Sequence, residues 1–331
     1  MMPNRVLLTG AGFTHNFGGM LASDVSAKIY SLIKANKLKI LLEKTDFEDA
    51  YQTVIESDEY NFNEKNELNT AIKSVFEQID SASKDGLDNI NTIFLRDFIS
   101  WFGNPDESGF IFTLNQDTFM ETHKDHFLGI AFDDLAPGST ISDHNLLLNP
   151  FDQKTIRVVT YENFEGFRNE KEKGFGKRKN HVFYIKLHGS HNWVIKDTPE
   201  QLMVIGRDKI NRLTSNTLLN WYFDIFQTRI ARNDTKLLII GYGFNDHHIN
   251  ETICKNANIK IYVINPEHPK NFFKTLTGKP FGNEIKKLIH DGNYYDTDLP
   301  KLIGNGKTQA NHYWQQLQFD FFDRNKLSLL L

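Results

Sequence analysis

The chain has 331 residues, 40% of them hydrophobic, enough for one large domain with insertions or two modest domains and too many for global disorder. A formal net charge of −4 and a pI near 6.3 argue against a generally basic nucleic-acid binder, and no direct nucleic-acid binding is expected. The single cysteine, Cys254, excludes intrachain disulfides and any zinc site built from three or four cysteines.

The first apolar run, Arg5–Thr9, has the character of a buried parallel strand and leads into Gly10-Ala11-Gly12-Phe13-Thr14. A glycine turn there brings backbone N–H groups close to a phosphate, or simply makes a tight strand-to-helix turn. His15 interrupts the G-x-G-x-x-G pattern. Leu21, Val25, Ile29, Tyr30 and Ile33 then recur at helical spacing. Residues from about 38 to 102 read as amphipathic helices almost free of Gly and Pro, a helical insertion beside the sheet.

Strand character returns at Gly109–Leu114, ending in Asn115-Gln116-Asp117. A turn at Pro137-Gly138, strand character near Ile156–Tyr161 and a basic run, Lys171–Lys179, expected as a solvated tip, follow. Val182–Leu187 is a strand ending at His188-Gly189-Ser190, and Thr217–Ile230 fits a helix. Lys236–Ile240 is the clearest buried strand and enters Gly241-Tyr242-Gly243, followed by a helix at His248–Asn256 that Asp246 is expected to N-cap. Ile259–Ile264 is a fifth strand, ending at Asn265. Gln309–Leu331 forms an aromatic, helical tail, with Phe321, Phe322 and Leu327 as candidate docking anchors or as packing for the chain's own sheet. Five strands ending in polar or glycine turns, with helices between them, predict an α/β fold with a Rossmann-like open parallel sheet. Its ligands bind at the carboxyl ends of the strands. No signal peptide and no apolar run near ~20 residues is seen, so a cytoplasmic protein without membrane contact is expected.

Those strand ends resemble the sirtuin family. Gly10-Ala11-Gly12 comes early, Thr113–Asp117 stands in the place of T-Q-N-x-D, Leu187-His188-Gly189 in the place of the His-Gly segment, and Ile264-Asn265 follows with Glu267 close by. Gly241–Asn250 resembles the G-Y-x-F-x-D-x-H-I-N signature of sirtuin-like domains in bacterial anti-phage defence. The resemblance implies an NAD-binding domain over 1–308, with the insertion at about 38–102 and no zinc module, and a tail at 309–331. It further implies a glycohydrolase that cleaves NAD to nicotinamide and ADP-ribose, depleting NAD in abortive infection. The four cysteines of the sirtuin zinc module are absent, and Gly18-Gly19-Met20-Leu21-Ala22-Ser23 replaces the deacetylase G-I-P-D-F-R.

On this resemblance Asn115 hydrogen-bonds a ribose hydroxyl and the attacking water, or else caps its strand end. His188 is the base that activates the water or a ribose hydroxyl, or else a structural ring. Ala11, Phe13 and Thr14, with Gly10 and Gly12, meet the pyrophosphate. Asp117 fixes the nicotinamide amide or caps the next helix. Gly189, Ser190, Gly241 and Gly243 line the NAD path, and Asn265 takes the adenosine ribose. His191 is expected at the surface, and the adjacent His247 and His248 are not expected to hold a metal. A zinc-free deacylase or ADP-ribosyltransferase and a non-catalytic NAD-sensing assembly module remain alternatives. A homo-oligomer and a partner such as a HerA-type ATPase or an Argonaute-like protein are expected.

Overall fold

A computed structural model describes residues 4–88, 92–103, 108–124, 131–142, 155–178, 180–198, 201–289, 292–304 and 309–322. Its strands are β1 (Arg5–Thr9), β2 (Gly109–Thr113), β3 (Ala131–Asp133), β4 (Ser139–Ser142), β5 (Thr155–Val159), β6 (His181–Lys186), β7 (Gly189–Ile195), β8 (Gln201–Met203), β9 (Lys236–Ile240), β10 (Lys260–Ile264) and β11 (Tyr294–Tyr295). Seven of them form one sheet in the order β11-β10-β9-β1-β2-β6-β3, and every adjacent pair in it is parallel. The five predicted strands are its five inner ones. A second sheet, β4-β5-β7-β8, mixes parallel and antiparallel pairs.

The main sheet is buried on both faces, which is why its strands read as continuous apolar runs. Val6, Leu8, Phe110, Phe112, Leu237 and Ile239 point to one side, against the helix Thr217–Ile230 and the second sheet. Asn216 starts that helix by accepting from the Leu218 and Leu219 amides. Leu7, Ile111, Tyr184 and Leu238 point to the other side, against Leu95, Phe98 and Ile99 and against Leu317, Phe321 and Phe322. The proposed docking anchors Phe321 and Phe322 are therefore core residues, 0% and 5% exposed, packed on Phe102, Tyr262 and Trp101. Arg5 and Lys236 side chains donate to the backbone carbonyls of this segment. Leu327 lies outside the described residues.

A third apolar cluster belongs to the helical module. Val25, Ile29, Leu38, Phe47, Val54, Leu68, Ile72, Val75 and Ile79 pack together with Ile205. The helix Ala22–Leu32 thus joins the module, although it precedes the expected boundary at 38, whereas Thr92–Ser100 packs on the main sheet. Apolar spacing finds a helix but not which neighbour its stripe meets. The basic run matches its expected solvation at Lys173, Lys177 and Arg178, which are exposed, but not at its start. Its first residues end the helix Phe164–Gly174, and Lys171 is partly buried in an ion pair of 2.7 Å with Asp133. Among the described residues no helix is long and apolar enough to cross a membrane.

Candidate active site

Register alone gathers the candidate residues. Thr9 pairs with both Thr113 and Ile240, Thr113 with Lys186, and Ile240 with Ile264. The turns that follow, at Gly10, Asn115, His188, Gly241 and Asn265, therefore leave the sheet at one level on its carboxyl edge.

The glycines interlock. Gly10 N donates to Ile240 O and Gly12 N to Gly241 O, both at 3.0 Å. A Cβ on Gly10 would stand 2.6 Å from Gly241 O, and one on Gly12 would stand 2.7 Å from Gly241 Cα. Gly241 has φ +66°, and a Cβ there would meet Phe13 N at 2.2 Å. Close backbone approach between β1 and β9 thus already requires these glycines. Gly243 is exposed and free of such crowding. The helix after Gly10 has five residues, Ala11–His15. The Phe13 amide is bonded to Gly10 O at 2.8 Å, and the Thr14 hydroxyl lies 3.0 Å from Asp117 Oδ2. The amides of Gly10, Gly12 and Phe13 and the Thr14 hydroxyl, all expected on a pyrophosphate, are thus engaged within the protein, while the Ala11 amide has no partner among the described residues. Phe13 is a core residue stacked edge-on with Phe17 and Phe119.

Beside the interlock lies a directed hydrogen-bond chain. The Asp117 carboxylate accepts from the Phe119 amide at 3.1 Å and from the Thr14 hydroxyl. With its hydrogen turned to Asp117, Thr14 Oγ1 accepts from Asn115 Nδ2 at 2.7 Å, and the same Nδ2 donates to Gly10 O at 3.1 Å. The network thereby fixes which end of the Asn115 amide is which. Half-buried Asn115 keeps its Oδ1 without a partner among the described residues. Asp117 is 6% exposed, and both its oxygens serve the chain, so it orients Thr14 and Asn115 where the resemblance assigned it to a nicotinamide amide. Burial raises its carboxyl above the usual range, against the lowering effect of Lys186. Lys186 donates to the Asp117 carbonyl and pairs with Glu121 at 2.9 Å.

His188 is 2% exposed, with Nε2 3.3 Å from Nε2 of His248. Burial pushes its ring down to about 3, Asp246 opposing and Lys209 and His248 assisting, while the Leu114 carbonyl also bonds the ring. His248 is likewise pushed by burial to about 4. Asp246 stands at the N-cap position of the helix His247–Cys254, but its carboxylate makes no capping bond. It pairs instead with the buried Lys209 Nζ at 2.7 Å, and Glu48 of the helical module meets the same Nζ at 2.8 Å. Burial opposes the ionised form of Asp246, yet His188 and Lys209 hold its carboxyl below the usual value.

Gly189 and Ser190 do not end a strand but open β7. Gly189 has φ +70°, and a Cβ would meet Leu202 O at 2.2 Å, while the fully buried Ser190 hydroxyl donates to Gln116 O at 3.0 Å. The expected surface position of His191 is overturned: the ring is 5% exposed, its Nε2 2.7 Å from Asp80 Oδ2. No local pattern announced this, because the carboxylate sits 111 positions away. Asn265 is half-buried at the end of β10, its Oδ1 accepting from the Glu267 amide at 2.8 Å. Among the described residues, no group of three or more His, Cys, Asp or Glu side chains is arranged to hold a metal ion.

A parallel sheet with such a carboxyl edge defines a Rossmann-like α/β protein. The model of the SIR2-like domain matches residues 109–268, which supports the sirtuin-like resemblance of this part of the chain. The matched span begins with β2 and includes Asn115, Asp117, His188, Gly241 and Asn265, whereas Gly10–Thr14 lies before it. No curated protein matches the chain. The family implies NAD-related chemistry. Three groups on this edge suit such a dinucleotide: Asn115 Oδ1 and the side-chain Nδ2 of Asn265, neither with a partner among the described residues, and the exposed backbone at Gly243.

Proposed function

We propose that the protein is an NAD glycohydrolase, releasing nicotinamide and ADP-ribose, and that it depletes NAD in abortive defence against phage. One observation carries the reading. Asn115 is locked through Thr14 and Asp117, with one acceptor oxygen left over on the sheet's carboxyl edge. Heterolysis of the nicotinamide–ribose bond leaves its electron pair on nicotinamide and an oxocarbenium-like sugar, which water then attacks. Asn115 Oδ1 accepts from a ribose hydroxyl or from that water without adding charge. His188 is the proposed base for the water: burial keeps its ring neutral and so able to accept, and Asp246 opposes the cost of the charge that forms on it. Gly243 and Asn265 face the adenosine half, Asn265 donating to its ribose hydroxyls. A homo-oligomer, with a HerA-type ATPase or Argonaute-like partner for control, belongs to the same proposal.

Purified protein incubated with NAD tests it. Free ADP-ribose and nicotinamide support the reading, whereas acyl-ADP-ribose or labelled protein marks a transferase or deacylase. Unchanged NAD with measurable binding marks a sensing module. Asn115→Ala is expected to abolish turnover while most NAD affinity remains. His188→Ala is expected to lower turnover about 10²-fold. Full activity in Asn115→Ala removes the assignment.

A further inference from the structure

We propose that Asp80, on the helix Phe62–Asp88 of the helical module, is a positioning residue for the loop that carries Asn115, acting through Thr118 and His191. The inference rests on the glycohydrolase reading above.

The two carboxylate oxygens of Asp80 are held by different segments. Oδ1 accepts from the Thr118 amide at 2.7 Å, and Oδ2 meets His191 Nε2 at 2.7 Å. One helical turn earlier, Phe76 stacks on the His191 ring, with centroids 5.7 Å apart and planes at 10°. The helix therefore fixes both the edge and the face of that ring. His191 in turn carries the loop, since its amide donates to Gln116 O at 3.0 Å beside the Ser190 hydroxyl. Lys186 holds the intervening Asp117 carbonyl. Three successive residues after Asn115 are thus gripped by groups from outside the loop, and Thr118 is gripped by the helical module itself. Burial disfavours the Asp80 charge, but the His191 bond and charge and the Thr118 amide outweigh it and hold the carboxyl below its usual value. An ionised Asp80 accepts from both partners at once.

A loop set in this way places Asn115 Oδ1 relative to the sugar. Misplacing a catalytic amide by about 1 Å costs on the order of 10²-fold in rate. Asp80→Ala removes both grips. Asp80→Asn keeps the Oδ1 acceptor for Thr118 and sets an amide of the same shape against His191 Nε2.

The experiment measures steady-state NAD hydrolysis together with amide hydrogen exchange. For Asp80→Ala, kcat is expected to fall by about 10²-fold with KM within about twofold. Asp80→Asn should return kcat to within about tenfold of the parent. Amides 115–117, which Asp80 does not touch, should exchange faster in Asp80→Ala while the helix 62–88 stays protected. Parent-like kcat in Asp80→Ala, no rescue by Asp80→Asn, or unchanged exchange at 115–117 overturns the proposal. If Asp80→Ala loses protection across the module, His191→Phe takes its place. That variant keeps the stack on Phe76 and removes the nitrogen facing Asp80, and a parent-like kcat in it overturns the proposal equally. Should the parent hydrolyse no NAD, the glycohydrolase reading falls by itself. Exchange at 115–117 then still decides whether Asp80 sets the loop.

Discussion

Two halves of the carboxyl edge are held by opposite means. Around Gly10, Gly12 and Gly241 the chain is closed by backbone meeting backbone, with no room for a side chain. Around His188, His248, Asp246, Lys209 and Glu48 it is closed by charged and titratable side chains taken out of water. The first half depends on shape, so it is indifferent to pH and intolerant of any added atom. The second depends on complementary charge, so it tolerates small changes of volume and is sensitive to protons and to the loss of one partner.

The sharpest way to break this contrast is Gly241→Ala. A left-handed φ and a Cβ 2.2 Å from Phe13 N leave no relaxed geometry. The expected loss is on the order of 4 kcal/mol or more, read as a fall in denaturant midpoint that is the same at pH 5 and pH 8. A loss below about 1 kcal/mol would mean that the two turns are not locked together.

Lys209→Met comes next. It removes the cation between Asp246 and Glu48 while keeping the aliphatic stem. Leaving a buried carboxylate without its partner costs about 3 kcal/mol. Chemical denaturation at neutral pH should show that loss, and should show part of it recovered by adding Asp246→Asn. Simple additivity of the two changes would break the picture of one coupled cluster.

The smallest effect concerns protons. His188 and His248 titrate in the folded protein near 3 and near 4, below the ordinary 6.5, because burial disfavours the charged ring. Between these values the unfolded chain takes up protons that the folded chain refuses. The stability contributed by the neutral rings is therefore complete above about pH 6.5 and falls away as pH drops through the folded values. His248→Gln should flatten the decline between pH 6.5 and 4.5 by about 2 kcal/mol, measured as denaturation free energy against pH. An unchanged slope would place the acid sensitivity elsewhere.

The same contrast explains what was legible in the sequence. The inner strands of the main sheet were visible because burial on both faces writes unbroken runs such as Lys236–Ile240. Their glycine ends were visible for the same reason: a backbone contact leaves a residue type behind. The short outer strands, Ala131–Asp133 and Tyr294–Tyr295, carry too few residues to announce a period. Side-chain closure left no such mark. Asp80, Lys209 and Glu48 look like ordinary charges on helix faces, and only the fold brings them to His191 and Asp246. Asp246 was assigned to a cap by its position before a helix, and a cation from another helix outcompeted the local amides.

The central place of β1 also bears on how the molecule is made. Asn4, just before it, bonds Thr235 at a separation of 231 residues, and Arg5 reaches the Phe321 carbonyl 316 residues on. Contacts so distant along the chain raise the contact order and slow folding. During synthesis β1 therefore leaves the ribosome long before either neighbouring strand exists, an apolar segment whose pairing groups have nowhere to go. The glycine interlock cannot close until Gly241 has followed. A nascent chain is thus exposed to aggregation and to chaperones at least until Gly241 has emerged. The carboxyl edge that gathers Asn115, His188 and Asn265 is complete only after the chain has passed Asn265.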